Sequence, residues 1–399
     1  MNADPKHLTR NPHIAQRMAE IAPFHVVELF NRVGELERLG HHVVNLCIGE
    51  PDFPTPQPML DAAAAALKIG RFPYTPSLGT PELRLAIAKF YLDRYNVIVA
   101  PERVIVTAGA SGALLLTMGV LVNAGEKVLL TDPGYPCNQQ FVRVMSGVPV
   151  GIPVDSGTGY QLNTELVNNH WDADTVAALV ASPANPTGTM INIDAMRKLI
   201  AAVAGKGGRL IVDEIYLALN YGEAATSALT LSDDVFIINS FSKYFQMTGW
   251  RLGWLIAPSG YVRDIEKLAQ NLFISNSTIA QHAALAGFTP QTLDLLEARR
   301  REFKARRDYL IPALQDLGFG VPVVPEGAFY VYADCSRFTK DSYNFCWDLL
   351  EQAHVAITPG IDFGSHRAAQ HVRFSYCTAI DELKEGVARI KRFLVNYQP

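Results

Sequence analysis

Five segments of this 399-residue chain place polar or aromatic side chains directly after short apolar runs: Gly109-Ala110-Ser111, Pro133-Gly134-Tyr135, Asn185-Pro186-Thr187-Gly188, Asp213, and Ser240-Phe241-Ser242-Lys243. Together they supply an amine, a carboxylate, hydroxyls, an amide and an aromatic ring, the inventory for moving protons and holding a ligand. Alone, none is informative. An isolated lysine is usually a solvated surface group, Asp after a strand commonly caps a helix, Asn-Pro signals a turn, and serine hydroxyls bond locally. Their recurrence after successive apolar runs carries the meaning. The ten histidines show no HxxxH or HExxH spacing, so no metal site is expected.

The elements that must position these residues are legible as apolar runs alternating with helix-like segments: Val104 to Thr107, Lys127 to Thr131, Val148 to Val154, Ala177 to Ala181, Leu210 to Val212, Val235 to Asn239 and Leu252 to Ala257. That rhythm predicts βαβ units, and near-continuous runs such as Leu210-Ile211-Val212 predict strands buried on both faces. The expected fold is α/β: a three-layer αβα large domain with a mostly parallel seven-stranded sheet over 46–288, and a smaller α+β domain over 289–399. A segment over 1–45, with a helix from Phe24 to Leu39, should pack on the smaller domain rather than on the sheet. In such sheets ligands sit beyond the carboxyl ends of the strands, so the five segments should share one crevice.

With 49% hydrophobic and 19% charged residues, there is enough apolar surface for two cores and no reason to expect long disorder. The net charge of -4 carries no nucleic-acid signature. The one basic run, Arg299 to Arg307, alternates with Glu297, Glu302 and Asp308 and overlies Leu296, Phe303, Leu310 and Leu317 at spacing seven. It predicts a long amphipathic helix whose charges face water. Five cysteines without a CxxC pair fit reduced thiols in the cytoplasm. The charged start, Met1 to Met18, and the lack of any 18-residue apolar stretch predict neither signal peptide nor membrane span.

Nine features in order, Gly49-Glu50-Pro51-Asp52-Phe53, Tyr74, Gly109-Ala110-Ser111, Tyr135, Asn185-Pro186-Thr187-Gly188, Asp213-Glu214-Ile215-Tyr216, Ser240-Phe241-Ser242-Lys243, Arg251 and Arg373, resemble those of class I aminotransferases. These are fold type I enzymes dependent on pyridoxal 5′-phosphate. The resemblance covers nearly the whole chain. It implies that Lys243 is the cofactor's covalent anchor and proton shuttle, that Asp213 pairs with the ring nitrogen, and that Tyr216 and Asn185 donate to the phenolate oxygen. Tyr135 would stack on the ring. Ser240, Ser242, the fork of Arg251 and the amides of Gly109, Ala110 and Ser111 opening a helix would cradle the phosphate. Arg373, with Asn185 and the backbone at Gly49, would bind the substrate carboxylate. Tyr74 and the 270–278 loop would complete the site of a neighbouring subunit in a homodimer.

Dicarboxylate-specific members bring a basic residue from that partner loop or from the Ser111 position. Here Asn271 to Ser277 contains none and Ser111 is uncharged, so the expected substrates are a neutral L-amino acid (alanine, aliphatic or aromatic) and a 2-oxo acid, pyruvate or 2-oxoglutarate. Arg32 and Arg71 are the cations that the N-terminal part could bring in instead. A carbon-sulfur β-lyase shares fold and lysine and is the alternative enzyme. A cofactor-sensing regulatory module is the remote one, because the segment before Val44 is too short and too weakly basic for a DNA-binding domain.

Overall fold

Alternate residues along the central strands feed two different cores. Val104, Leu129, Val180, Val212, Ile237 and Trp254 pack into one, while Ile105, Leu130, Leu179, Ile211, Ile238 and Leu255 pack into the other. A strand's side chains point to opposite faces in turn, so a sheet apolar at every position must be covered on both sides. The computed structural model, which describes residues 13–222 and 225–397, shows that arrangement.

In chain order the elements are α1 (His25–Arg38), β1 (Val44–Asn45), α2 (Gln57–Ile69), α3 (Pro81–Tyr95), β2 (Val104–Thr107), α4 (Gly109–Leu121), β3 (Lys127–Asp132), α5 (Cys137–Val144) and β4 (Val148–Pro153). There follow α6 (Thr164–His170), β5 (Thr175–Ala181), α7 (Ile193–Gly205), β6 (Arg209–Asp213), β7 (Phe236–Ser240), β8 (Gly253–Ile256), α8 (Val262–Leu272) and α9 (Thr278–Ala286). The remainder is α10 (Pro290–Leu317), β9 (Tyr330–Asp334), α11 (Ser342–Ala353), β10 (Val355–Ala356), β11 (Thr358–Pro359), β12 (His371–Ser375) and α12 (Ile380–Asn396).

The seven apolar runs form one seven-stranded sheet in the order β2-β8-β7-β6-β5-β3-β4. All neighbours are parallel except those of β8, which runs antiparallel to both β2 and β7. Helices α4 and α8 cover one face with Leu114, Met118 and Ile265, and α3 and α7 cover the other with Leu83, Ile87, Leu199 and Val203. The smaller α+β domain holds the antiparallel sheet β11-β12-β9. Helix α1 packs on β10 and β11, and β1 pairs with β10. Residues 1–12, including the charged start, lie outside the described residues.

The spacing-seven helix is α10, capped by the Thr289 side chain at its start and by Gly318 (φ 102°) at its end. Leu296, Phe303 and Leu310 are buried as expected. Its charged face is only partly wet, which corrects the sequence reading. Arg306 is 3% exposed and reaches Asp52 at 2.8 Å and Glu302 at 3.2 Å. Arg299 donates to Pro54 O at 2.7 Å. The helix lies against the segment that follows Gly49, so its cations meet protein carboxylates and carbonyls there instead of water. Among the described residues, no helix is long and apolar enough to cross a membrane.

Candidate active site

The carboxyl ends of β2, β3, β5, β6 and β7 open onto one crevice of about 380 Å³ between the sheet and the smaller domain. The reversed strand explains one residue's presence. Arg251 precedes β8, and because β8 runs backwards its amino end lies at the same edge as the carboxyl ends of its neighbours. The lining includes Gly49, Ala110, Ser111, Tyr135, Asn185, Asp213, Tyr216, Ser240, Ser242, Lys243, Arg251 and Arg373.

Lys243 follows the end of β7, and its Nζ donates to Gly49 O at 2.6 Å. Burial lowers its pKa to about 8. Gly49 has no alternative here, because a Cβ would lie 1.9 Å from the Tyr330 hydroxyl. Asp213 is the last residue of β6 rather than the residue after it. It is 5% exposed, accepts from Ile215 N at 3.0 Å, and is pushed up to about 7 by burial. A local turn bond and the crevice-lining role therefore coexist in one carboxylate, and the helix cap that Asp after a strand commonly forms is absent.

Tyr216 is buried and shares a 2.9 Å hydrogen bond with Tyr330. Ser240 and Ser242 share one of 2.8 Å. Helix α4 opens at Gly109 with no side-chain cap, leaving its first amides facing the crevice edge. Gly109 has φ 69°, and a Cβ on it would lie 2.8 Å from Arg251 Nη2, so the guanidinium sits directly over the opening of the helix. Arg373 donates through Nη1 to Asn185 Oδ1 at 3.0 Å, and through Nη2 to Cys47 O and to Thr358 Oγ1 at 3.2 Å. Its guanidinium is sandwiched between Tyr330, 4.4 Å to the ring centre, and Phe363, 4.8 Å. Its Nε is buried and has no hydrogen-bond partner among the described residues.

Tyr74 is not brought to the crevice of its own chain; it is 81% exposed. Its segment is tied to the 270–278 loop and α9 by Thr278 Oγ1 to Pro73 O and Gln281 Nε2 to Thr75 Oγ1, both 3.0 Å. The two elements expected to serve a neighbour thus share one surface, with Ile69, Leu272 and Ile274 exposed beside them. Neither Arg32 nor Arg71 lines the crevice, and Arg32 is paired with Glu35 and Glu351.

The sequence reading missed Tyr330, Asp362, Phe363 and the crevice-facing side of α1 (Val26, Val27, Phe30). Tyr330 opens β9, whose residues carry no signature of a site. Asp362 and Phe363 follow β11 without any local signature.

The family model for aminotransferase class I and II matches residues 41–390. This chain belongs to that family. Among curated proteins, the aminotransferase is 37% identical to valine-pyruvate aminotransferase of Mycobacterium tuberculosis, over 94% of this chain and 97% of that one. It is 35% identical to (5-formylfuran-3-yl)methyl phosphate transaminase of Methanocaldococcus jannaschii, over 96% and 99% of the two chains. Among solved structures, an aminotransferase from Mycobacterium tuberculosis superposes with a TM-score of 0.92 at 36% identity, covering 96% of this chain and 99% of the other. The enzyme depends on pyridoxal 5′-phosphate, and the site suits that group. Among the described residues the buried carboxylate of Asp213 has no direct ion pair, an uncapped helix start under Arg251 with two serines suits a dianion, and a buried amine is held at the crevice floor.

Proposed function

We propose that the enzyme moves the amino group between a neutral L-amino acid, aliphatic or aromatic, and a 2-oxo acid, pyruvate or 2-oxoglutarate. The carrying observation is the crevice wall. Among the described residues its cations are Lys243, Arg251 and Arg373, each assigned to the cofactor or to the α-carboxylate, and the outer wall holds Phe24, Val26, Val27, Phe30, Ile48 and Phe363 with the carboxylate of Asp362. A distal carboxylate on the substrate would find an apolar surface and a like charge there. The relative named for valine and pyruvate points the same way.

When bound, the cofactor supplies an electron sink for the bond broken at the substrate Cα. Lys243 anchors it and takes and returns the proton at that carbon; with a pKa lowered to about 8, a share of the amine is unprotonated near neutrality. Asp213 holds a proton on the ring nitrogen. Tyr216 and Asn185 bind the phenolate oxygen, and Tyr135 bears on the ring. Ser240, Ser242, Arg251 and the amides of Gly109, Ala110 and Ser111 hold the phosphate. Arg373 binds the α-carboxylate beside Gly49, oriented by Asn185 and by the two aromatic rings that sandwich it. Amino acid and 2-oxo acid both carry that carboxylate, so one site serves both halves of a ping-pong cycle.

In the same reading, two copies complete each other's sites with Tyr74 and the 270–278 loop, and the exposed apolar side chains around them support it. The chain divides at 1–45, 46–288 and 289–399. Five free cysteines support a cytoplasmic enzyme. The test is a half-reaction screen: single L-amino acids are added to the holoenzyme and the visible band of the lysine-bound cofactor is followed. Valine, phenylalanine or alanine should bleach it and release the matching 2-oxo acid, with aspartate at least tenfold slower. Pyruvate released from a cysteine conjugate, without any amino acid bleaching the band, would overturn the assignment in favour of β-lysis.

A further inference from the structure

The first turn of α1 hangs on a residue more than 300 positions away. The first amides of a helix have no partner inside it, and the residue at the cap position, Phe24, makes no side-chain cap. The carboxylate of Asp362 fills that place instead: Oδ1 accepts from His25 N at 2.9 Å and Oδ2 from Val26 N at 2.7 Å. A carboxylate at a helix start is also favoured by the helix dipole.

Asp362 is itself held by the large domain. Gly134 N donates to Phe363 O at 2.8 Å, and the Asp132 carboxylate at the end of β3 accepts from Ser365 N at 3.0 Å, Ser365 Oγ at 2.8 Å and His366 N at 3.1 Å. The approach is so close that a Cβ on Gly364 would overlap Asp132 Oδ1. The turn of α1 that Asp362 holds carries Val26, Val27 and Phe30 into the crevice lining. Val27 and Phe30 remain 48% exposed there, whereas Leu29, Val33 and Leu36 are buried on the helix's other flank. The same turn also packs Val26 on the core and makes an edge contact between the rings of His25 and Tyr343, 5.0 Å apart.

We propose that Asp362 is a positioning residue for side-chain selection: by capping α1 from the crevice wall, it sets the distance between the apolar face of α1 and the substrate held on Arg373. This rests on the neutral-substrate reading above. A substrate with a large apolar side chain reaches that face, and alanine does not, so loosening the wall acts on the first and not the second.

Asp362→Ala should lower the ratio of kcat/KM for phenylalanine over alanine by about tenfold, the scale of discrimination carried by one or two methylenes in a pocket. Independently of any substrate, hydrogen exchange of the amides of residues 25–30 should quicken by about fivefold, the scale of a lost helix cap. Asp362→Asn, which keeps one acceptor oxygen, should fall between wild type and alanine in both measurements and serves if the alanine variant does not fold. An unchanged phenylalanine-to-alanine ratio, or exchange of residues 25–30 equal to wild type, overturns the role of Asp362. A wild-type enzyme that turns over phenylalanine and valine no faster than aspartate overturns the neutral-substrate reading instead, and the exchange measurement then still decides the cap.

Discussion

Asp213→Asn makes the sharpest test of the cofactor site, because it predicts a gain before it predicts a loss. The carboxylate is 5% exposed and has one backbone donor, Ile215 N, so burial lifts its pKa from 3.8 to about 7. In the folded apoenzyme it therefore binds its proton more tightly than in the unfolded chain. The folded state loses stability as pH rises from 3.8 to about 7, and the full penalty applies above that. At about 1.4 kcal/mol per pH unit the gap amounts to about 4 kcal/mol. Asparagine has nearly the same shape and no charge to desolvate. Apo Asp213→Asn should melt above the apo wild type at pH 8, by about 5 °C given the unfolding entropy of a chain this long, and the two should converge near pH 4. Glu214, raised to about 8 by burial, titrates in both proteins, so the difference between them reports mainly on Asp213. With cofactor the order should reverse, since on the proposed role of Asp213 the variant would no longer hold a proton on the ring nitrogen, and half-reaction rates should fall by orders of magnitude. A gap in apo melting below about 1 °C, or one indifferent to pH, refutes the claim that this carboxylate is kept uncompensated for a cation.

Two further outcomes follow from the geometry. Gly109→Ala forces a side chain into φ 69° and against Arg251 Nη2, so cofactor affinity, read by fluorescence titration of the apoenzyme, should weaken by at least tenfold while the fold persists; affinity within twofold of wild type would remove the phosphate cradle from this helix start. Tyr74→Phe should weaken cofactor retention by about tenfold to a hundredfold, the scale of one hydrogen bond to a charged group, although Tyr74 is remote from its own chain's crevice. A fully active monomer in sedimentation would contradict the shared site.

Much of the large domain was legible because strands buried in a covered sheet leave a local trace, an apolar run, and the seven runs named all became strands of one sheet, with only the edge strand β4 largely unburied. The direction of β8 left no trace. Leu252 to Ala257 reads like the other runs, and only its pairing with β2 and β7 sets it antiparallel and carries Arg251 to the crevice edge. The wet face expected of α10 failed at Arg306 for a similar reason: charge alternation reports the helix, and not what lies opposite it.

Through its resemblance to class I aminotransferases, the sequence by itself pointed to the chemistry of this enzyme. Lys243, Asp213, Tyr216 and Asn185 stand at or just after the carboxyl ends of strands, where local order along the chain already implies a shared edge, whereas Arg251 reaches it only because β8 is reversed. The side-chain pocket was decided by tertiary structure alone. Its wall joins α1 to the loop after β11, more than 300 residues apart, through a cap that no local pattern announces and a sandwich of Tyr330 and Phe363 around Arg373. Periodicity records which face of an element is buried; it does not record which distant element that face will meet.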